Sequence, residues 1–238
     1  MFSLKHLAIL AGALPLGALA TTALAYDPGS VSNGGTISGK VTYSGAVPTK
    51  KVIPTKDANV CGSIRDVKLI AVGPGNGVQD AVVFLKDVAS GKDWGEPESV
   101  PEIDNVKCEF EPHIQVIREG EIDVVNSDPV LHNTHGFYGR RTAFNLALPN
   151  EGQRIKAELM RPGLVRIECD AHGWMLGWIY VADSPYYVLT GEDGSFSLTD
   201  VPPGDYTLVT WQEHTDAMEM PVSVKTGETA EVTVELTK

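Results

Sequence analysis

Along the chain, apolar and polar residues alternate in short runs and do not recur at helical spacing. Thr36-Ile37-Ser38-Gly39-Lys40-Val41-Thr42-Tyr43 and the runs 116–125 and 232–236 alternate or are rich in β-branched residues. This period of two is the mark of half-buried strands. The apolar run Trp178-Ile179-Tyr180-Val181 reads as a further strand. Gly, Pro, Asn and Asp stand between the runs. Gly191-Glu192-Asp193-Gly194 and Val201-Pro202-Pro203-Gly204-Asp205 are expected to be tight turns, because Gly and Pro supply the dihedrals a reversal requires. Helical periodicity is confined to one short turn expected over 216–220. The pattern predicts an all-β chain of many short strands, arranged as a sandwich or barrel.

The N-terminus departs from this pattern. Lys5 and His6 precede an apolar run from Leu7 to Leu19, and Ala23-Leu24-Ala25 offers small residues ahead of Tyr26. That is the layout of an export signal over residues 1–25 with cleavage before Tyr26. The run is too short, and too interrupted by Pro15 and Gly17, to read as a stable membrane span. The expected product is a soluble exported protein, periplasmic in a bacterium, of roughly 210 residues, enough for one large or two small domains.

The formal net charge of −12 argues against nucleic acid as a partner, since binding phosphates requires a basic face. It suits solubility, and it suits steering toward a partner with a basic docking face. The chain has three cysteines, Cys61, Cys108 and Cys169. Exported proteins tend to pair their thiols, so an odd count leaves one for another task. Cys61 and Cys108 are the disulfide candidates, with two free buried thiols as the alternative.

Cys169 stands in Glu168-Cys169-Asp170-Ala171-His172-Gly173-Trp174-Met175, which sets a thiolate, an imidazole and a thioether at three-residue intervals. Upstream, Asn126-Ser127-Asp128-Pro129-Val130-Leu131-His132-Asn133 offers a second imidazole. Cys, two His and a weak Met form the ligand set of a blue-copper electron-transfer site, a compromise between the soft cuprous ion and the borderline cupric one. The bland alternatives are a buried core thiol at Cys169 and core filler at Met175. No phosphate-cradling Gly loop, nucleophile elbow or zinc-helix motif is present, so the chain does not read as an enzyme.

Together these segments resemble the cupredoxins, the amicyanin/plastocyanin-like blue copper proteins. The resemblance rests on His132-Asn133-Thr134-His135, on the Cys-x-x-His-x-x-Met spacing of residues 169–175, and on the returning run Met175 to Val181. Glu109-Phe110-Glu111-Pro112 and the hairpin around Gly120 extend it over about 80 residues. It implies one type 1 copper ion held by His132, Cys169, His172 and axial Met175. It also implies that Asn133 ties the His loop to the Cys loop by hydrogen bonds. His135 is the rival ligand. Strand alternation sends positions 132 and 135 to opposite faces, and the Asn that follows the His favours His132. Gly173 stands where amicyanin-like members carry Pro, which implies a looser loop. Trp174 and Trp178 are expected around the site. His113 is expected at the surface, and His214 in a structural role.

The flanks carry a second resemblance, to the carboxypeptidase regulatory-like domain, a transthyretin-type β-sandwich. Its first strands are matched at Gly35 to Val41 and Asp80 to Leu85. Its later ones are matched at Thr190 to Leu198 and Val201 to Leu208. A structureless connection as long as the segment between these halves would be implausible, whereas an inserted domain is tolerated at an exposed loop. The expected arrangement is therefore a host sandwich of residues 34–100 plus 184–238 with a cupredoxin-type Greek-key sandwich, 103–183, inserted in it. Three units in a row is the alternative. This whole-chain combination resembles exported methylamine-utilisation-like proteins.

The function this implies is an exported type 1 copper protein carrying single electrons between redox partners such as a c-type cytochrome or a dehydrogenase. A periplasmic copper carrier or sensor, and a structural binding module with a non-redox metal site, are the other readings.

Overall fold

In the computed structural model, which describes residues 25–97 and 99–238, strand after strand buries every second side chain. Gly163–Cys169 shows how this follows from sequence: Val165, Ile167 and Cys169 point inward, while Arg166 and Glu168 point outward. Among the described residues the fold is all-β, with one helical turn at Ala58–Cys61 and a short 3-10 turn at Pro74–Asn76. No helix among the described residues is long and apolar enough to cross a membrane. The export signal expected over residues 1–25 lies, apart from Ala25, outside the described residues.

Two pairs of sheets account for most strands. In one pair, a five-stranded sheet runs in the order Arg141–Leu148, His132–Tyr138, Gly163–Cys169, Leu176–Ala182, Ile114–Arg118. A four-stranded sheet of Gln153–Leu159, Gly120–Asn126, Glu102–Val106 and Glu109–Glu111 supplies the other layer. Ile103, Ile122 and Leu159 of the smaller sheet share one core with Ile167, Ile179 and Cys169 of the larger. In the other pair, Tyr187–Leu189, Val82–Leu85, Gly204–Trp211 and Met218–Val224 form one sheet, and Ser195–Val201, Gly35–Tyr43 and Thr229–Leu236 form the other. This core draws on Ile37, Val41 and Leu85 from early in the chain and on Tyr186, Phe196 and Leu208 from late in it.

A third apolar group joins the two pairs. Val82 and Phe84 of one pair meet Ile114, Tyr180 and Ala182 of the other, and the rings of Phe84 and Tyr180 stack at 4.5 Å. Trp178 belongs to this joint. It meets Trp211 at 5.2 Å between ring centres, and its indole N–H donates to Glu213 Oε2 at 2.7 Å. Its expected place near the candidate ligands is therefore corrected. The outward face of Leu176–Ala182 meets the second sheet pair, not the ligand end.

Two local expectations are also corrected. The run 116–125 is not one strand. It breaks at Gly120, where φ is +151°, and its halves enter different sheets, Ile114–Arg118 and Gly120–Asn126. The helical turn expected over 216–220 is absent, because Met218–Val224 is a strand paired with Gly204–Trp211. Its alternating burial outweighs the weak local helix signal.

The turn 191–194 closes with the amide of Gly194 donating to Gly191 O at 2.9 Å. Gly194 has φ +81°, and a Cβ there would lie 2.1 Å from Val41 O and 2.8 Å from Gly77 Cα. Both obstacles are backbone and cannot swing away. Gly194→Ala is expected to lower stability by about 2–4 kcal/mol, combining left-handed strain with overpacking. A urea-unfolding midpoint equal to that of wild type would refute this account of the turn.

Candidate metal centre

The candidate ligands lie at one end of the five-stranded sheet. His132 opens the strand His132–Tyr138, and Cys169 closes Gly163–Cys169 beside it, with Thr134 opposite Cys169 in register. Asn126 pins the loop before His132 by donating to Val130 O and Leu148 O, each at 2.9 Å. After Cys169 the chain turns back tightly. The amide of His172 donates to Cys169 O at 3.2 Å, and that of Met175 to His172 O at 2.9 Å. These two turns carry His172 and Met175 inward. A Cβ at Gly173 would meet nothing within 4 Å, so the turn itself does not require glycine.

His132 and His172 are fully buried, and Cys169 and Met175 nearly so. The two imidazole Nδ1 atoms stand 3.1 Å apart, and Cys169 Sγ lies 3.8 Å from His132 Nδ1 and 3.7 Å from His172 Nδ1. Donor atoms sharing one ion at roughly 2.0–2.3 Å lie about 3–4 Å from one another, so the triangle has the size of a ligand set. Met175 closes the loop within the same apolar core as Cys169.

The outer edges of the imidazoles explain why their Nδ1 atoms face each other. His132 Nε2 lies 2.9 Å from Asp128 Oδ2, and His172 Nε2 lies 3.0 Å from Asp57 Oδ2. A carboxylate only accepts, so each Nε2 donates its N–H outward, and in that tautomer each ring turns an Nδ1 lone pair inward. Two lone pairs at 3.1 Å repel unless a cation lies between them. Burial holds the His132 pKa below its ordinary value, although Asp128 pushes the other way. The donor set of two imidazoles and a thiol suits a soft or borderline metal ion.

His135 is held elsewhere, as strand alternation expects. Its Nδ1 meets the Asp170 carboxylate at 3.2 Å and its Nε2 meets Thr142 Oγ1 at 3.0 Å. His135→Ala is expected to leave the triangle of His132, Cys169 and His172 in place and to cost about 1 kcal/mol in stability. Urea unfolding of the variant checks this, and a loss several times larger would refute it.

Asn133 links the two ligand segments through its backbone. Its amide donates to Cys169 Sγ at 3.4 Å, and its carbonyl accepts from the Asp170 amide at 3.3 Å. The side chain donates instead to Asn145 Oδ1 at 2.7 Å. Trp174 packs its ring 5.1 Å from that of His172. His113 pairs with Glu213 at 2.7 Å across the joint between the sheet pairs. Burial lowers its pKa, but the hydrogen bond and charge of Glu213 outweigh this and raise it overall. His214 packs edge-on to Tyr43.

Cys61 and Cys108 are joined by a disulfide. Sequence reasoning missed Asp128 and Asp57. Asp128 had a signal in its place four residues before His132. Asp57 had none, for it precedes His172 by 115 residues.

No protein-family model matches the chain. The probable rhamnogalacturonate lyase A of Aspergillus flavus is 43% identical over 54 residues, covering 23% of this chain and 10% of that protein. The chain thus spans about a tenth of the length of that curated relative. Among solved structures, a purple cupredoxin from Nitrosopumilus maritimus is similar over 34% of this chain and 99% of its own, at 22% identity and a TM-score of 0.31. The amicyanin of Paracoccus versutus is similar over 42% and 97% respectively, at 14% identity and a TM-score of 0.32.

Proposed function

We propose that the chain is an exported type 1 copper protein that carries single electrons between redox partners. The observation that carries this reading is the buried triangle of His132 Nδ1, His172 Nδ1 and Cys169 Sγ, with both imidazole lone pairs turned inward by carboxylates. These three atoms would hold one copper ion, with Met175 as the weak fourth ligand. When bound, copper supplies a one-electron couple between its cuprous and cupric states.

The protein's own part is to fix the donors and keep water out. Cys169 and His132 are set by adjacent strands, which limits how far the donors shift when charge changes. The Asn133 amide, donating to Sγ, stabilises the thiolate. The bonds from Nε2 to Asp128 and Asp57 hold both rings in the tautomer that a metal requires.

The domain arrangement belongs to the same proposal. Residues 34–100 and 184–238 form a regulatory-like host, and 103–183 form the inserted copper domain. The separation of the two cores supports this division, except that Val60 and Cys61 pack in the core of the inserted part. Export through residues 1–25 would place the protein in the periplasm. The net charge of −12 favours a partner with a basic docking face, such as a c-type cytochrome or a dehydrogenase.

A second reading, a periplasmic copper carrier or sensor, is favoured by one observation. Both imidazoles are fully buried, so neither offers an exposed edge to a partner. Optical and EPR spectra of the copper-loaded protein test the first reading. An intense thiolate-to-Cu(II) band is expected, and an oxidised, loaded protein without colour would overturn it. A coloured protein with very slow electron self-exchange would favour the carrier.

A further inference from the structure

Asp57 begins the helical turn Ala58–Cys61, where an aspartate ordinarily caps the turn with its own carboxylate. Here the side chain makes no cap bond. The Asp57 carbonyl accepts instead from the amides of Val60 at 2.9 Å and Cys61 at 2.8 Å. The residue adopts φ +51°, in the left-handed region, and its carboxylate reaches His172 Nε2 at 3.0 Å. Uncommon backbone geometry and an unused cap at one residue indicate that the surroundings dictate where this side chain points.

The segment is held firmly on its other side. Cys61 is bonded to Cys108. Arg65 ties Cys61 O, at 3.1 Å, to Glu109 Oε1, also at 3.1 Å. The amide of Cys108 donates to Asp128 Oδ2 at 2.8 Å, and that same carboxylate meets His132 Nε2. The disulfide therefore anchors both carboxylates that face the candidate ligands, Asp128 through the Cys108 amide and Asp57 through one helical turn. Its two sulfurs and a ring nitrogen of His172 lie within 4.8 Å of one another. Trp174 packs on the His172 ring but offers it no hydrogen bond.

We propose that Asp57 is a positioning residue of the metal centre, contributed by a segment far upstream of the ligand strands in sequence that packs into their core through Val60 and Cys61, and held on His172 by the Cys61–Cys108 disulfide. It fixes the His172 tautomer and ring orientation and covers the outer edge of that ring. The metal centre is then incomplete without the segment 57–61. This inference rests on the copper reading for its effect on binding, but its effect on the imidazole is independent of any metal.

The test uses the full exported chain with Asp57→Ala, Asp57→Asn and the double substitution Cys61→Ala/Cys108→Ala. In metal-free protein, long-range 15N NMR is expected to show His172 protonated at Nε2 in wild type and in Asp57→Asn, which keeps an acceptor oxygen of similar reach. Asp57→Ala is expected to show a mixture of tautomers. Cu(II) affinity should fall about 10–100-fold in Asp57→Ala. The potential should rise, by about 59 mV for each tenfold loss of Cu(II) over Cu(I) affinity. A folded double-cysteine variant should show the same tautomer mixture, and if it does not fold, the Asp57 variants decide. Asp57→Ala protein that keeps the wild-type tautomer, or binds Cu(II) as tightly as wild type, overturns the inference. Wild type that binds no copper overturns the proposed function instead, and the tautomer measurement still decides the role of Asp57.

Discussion

Replacement of Cys169 by alanine is expected to abolish the visible charge-transfer band and to weaken copper binding by more than about 100-fold, beyond the loss typical of an outer hydrogen-bond partner. The band requires a thiolate bound to Cu(II), and Cys169 is the free cysteine of the chain. Its sulfur faces both imidazole Nδ1 atoms, so no other thiol can replace it while Cys61 and Cys108 remain bonded. The metal-free variant should fold, because exchanging a buried thiol for a methyl group costs only about 1 kcal/mol. Copper at a thousandfold excess over its dissociation constant should stabilise wild type by about 4 kcal/mol, and the variant far less. Thermal unfolding with and without copper reads this difference. A variant that keeps the band, or gains as much stability from copper as wild type, would remove Cys169 from the ligand set.

Asp128→Ala is expected to be the most damaging single change near the site, costing about 3–5 kcal/mol of stability even without metal. The Asp128 carboxylate is almost fully buried and serves three donors. It accepts from the amides of Lys107 at 2.7 Å and Cys108 at 2.8 Å, and it faces His132 Nε2 at 2.9 Å. Lys107 and Cys108 both adopt left-handed geometry, with φ of +50° and +58°. Strain of that kind persists only when surrounding bonds enforce it. Alanine would leave buried N–H groups unpartnered and free the His132 ring to rotate. Asp128→Asn, which keeps an acceptor, should lose less than half as much. Urea unfolding of the metal-free proteins separates the two, and an Asp128→Ala midpoint within experimental error of wild type would refute the account.

The two aspartates act on the centre from different directions. Asp128 lies four residues from His132 and travels with the strands that carry the candidate ligands. Asp57 arrives from a distant segment and depends on the disulfide and on the packing of Val60 and Cys61 in the core that holds Cys169.

Period-two alternation made several strands legible, because a half-buried strand writes its two faces directly into the chain. Gly35–Tyr43 and Thr229–Leu236 are clear cases. The candidate ligands were legible for a related reason. His132, Cys169, His172 and Met175 sit within two short segments whose spacing is itself the chemical signal. Alternation also separated His135 from His132. Other features depended on contacts that no local window contains. The break at Gly120 reflects two sheets competing for adjacent residues, and the displacement of Trp178 to the joint reflects which face of its strand meets the second sheet pair. Asp57 is the extreme case: an ordinary loop aspartate in sequence, it becomes a partner of His172 only when the chain folds back across a separation of 115 positions and a disulfide holds it there. Residue identity and spacing specify which groups can bind a metal. Orienting those groups takes hydrogen bonds between distant segments, and only the packed tertiary structure brings these together.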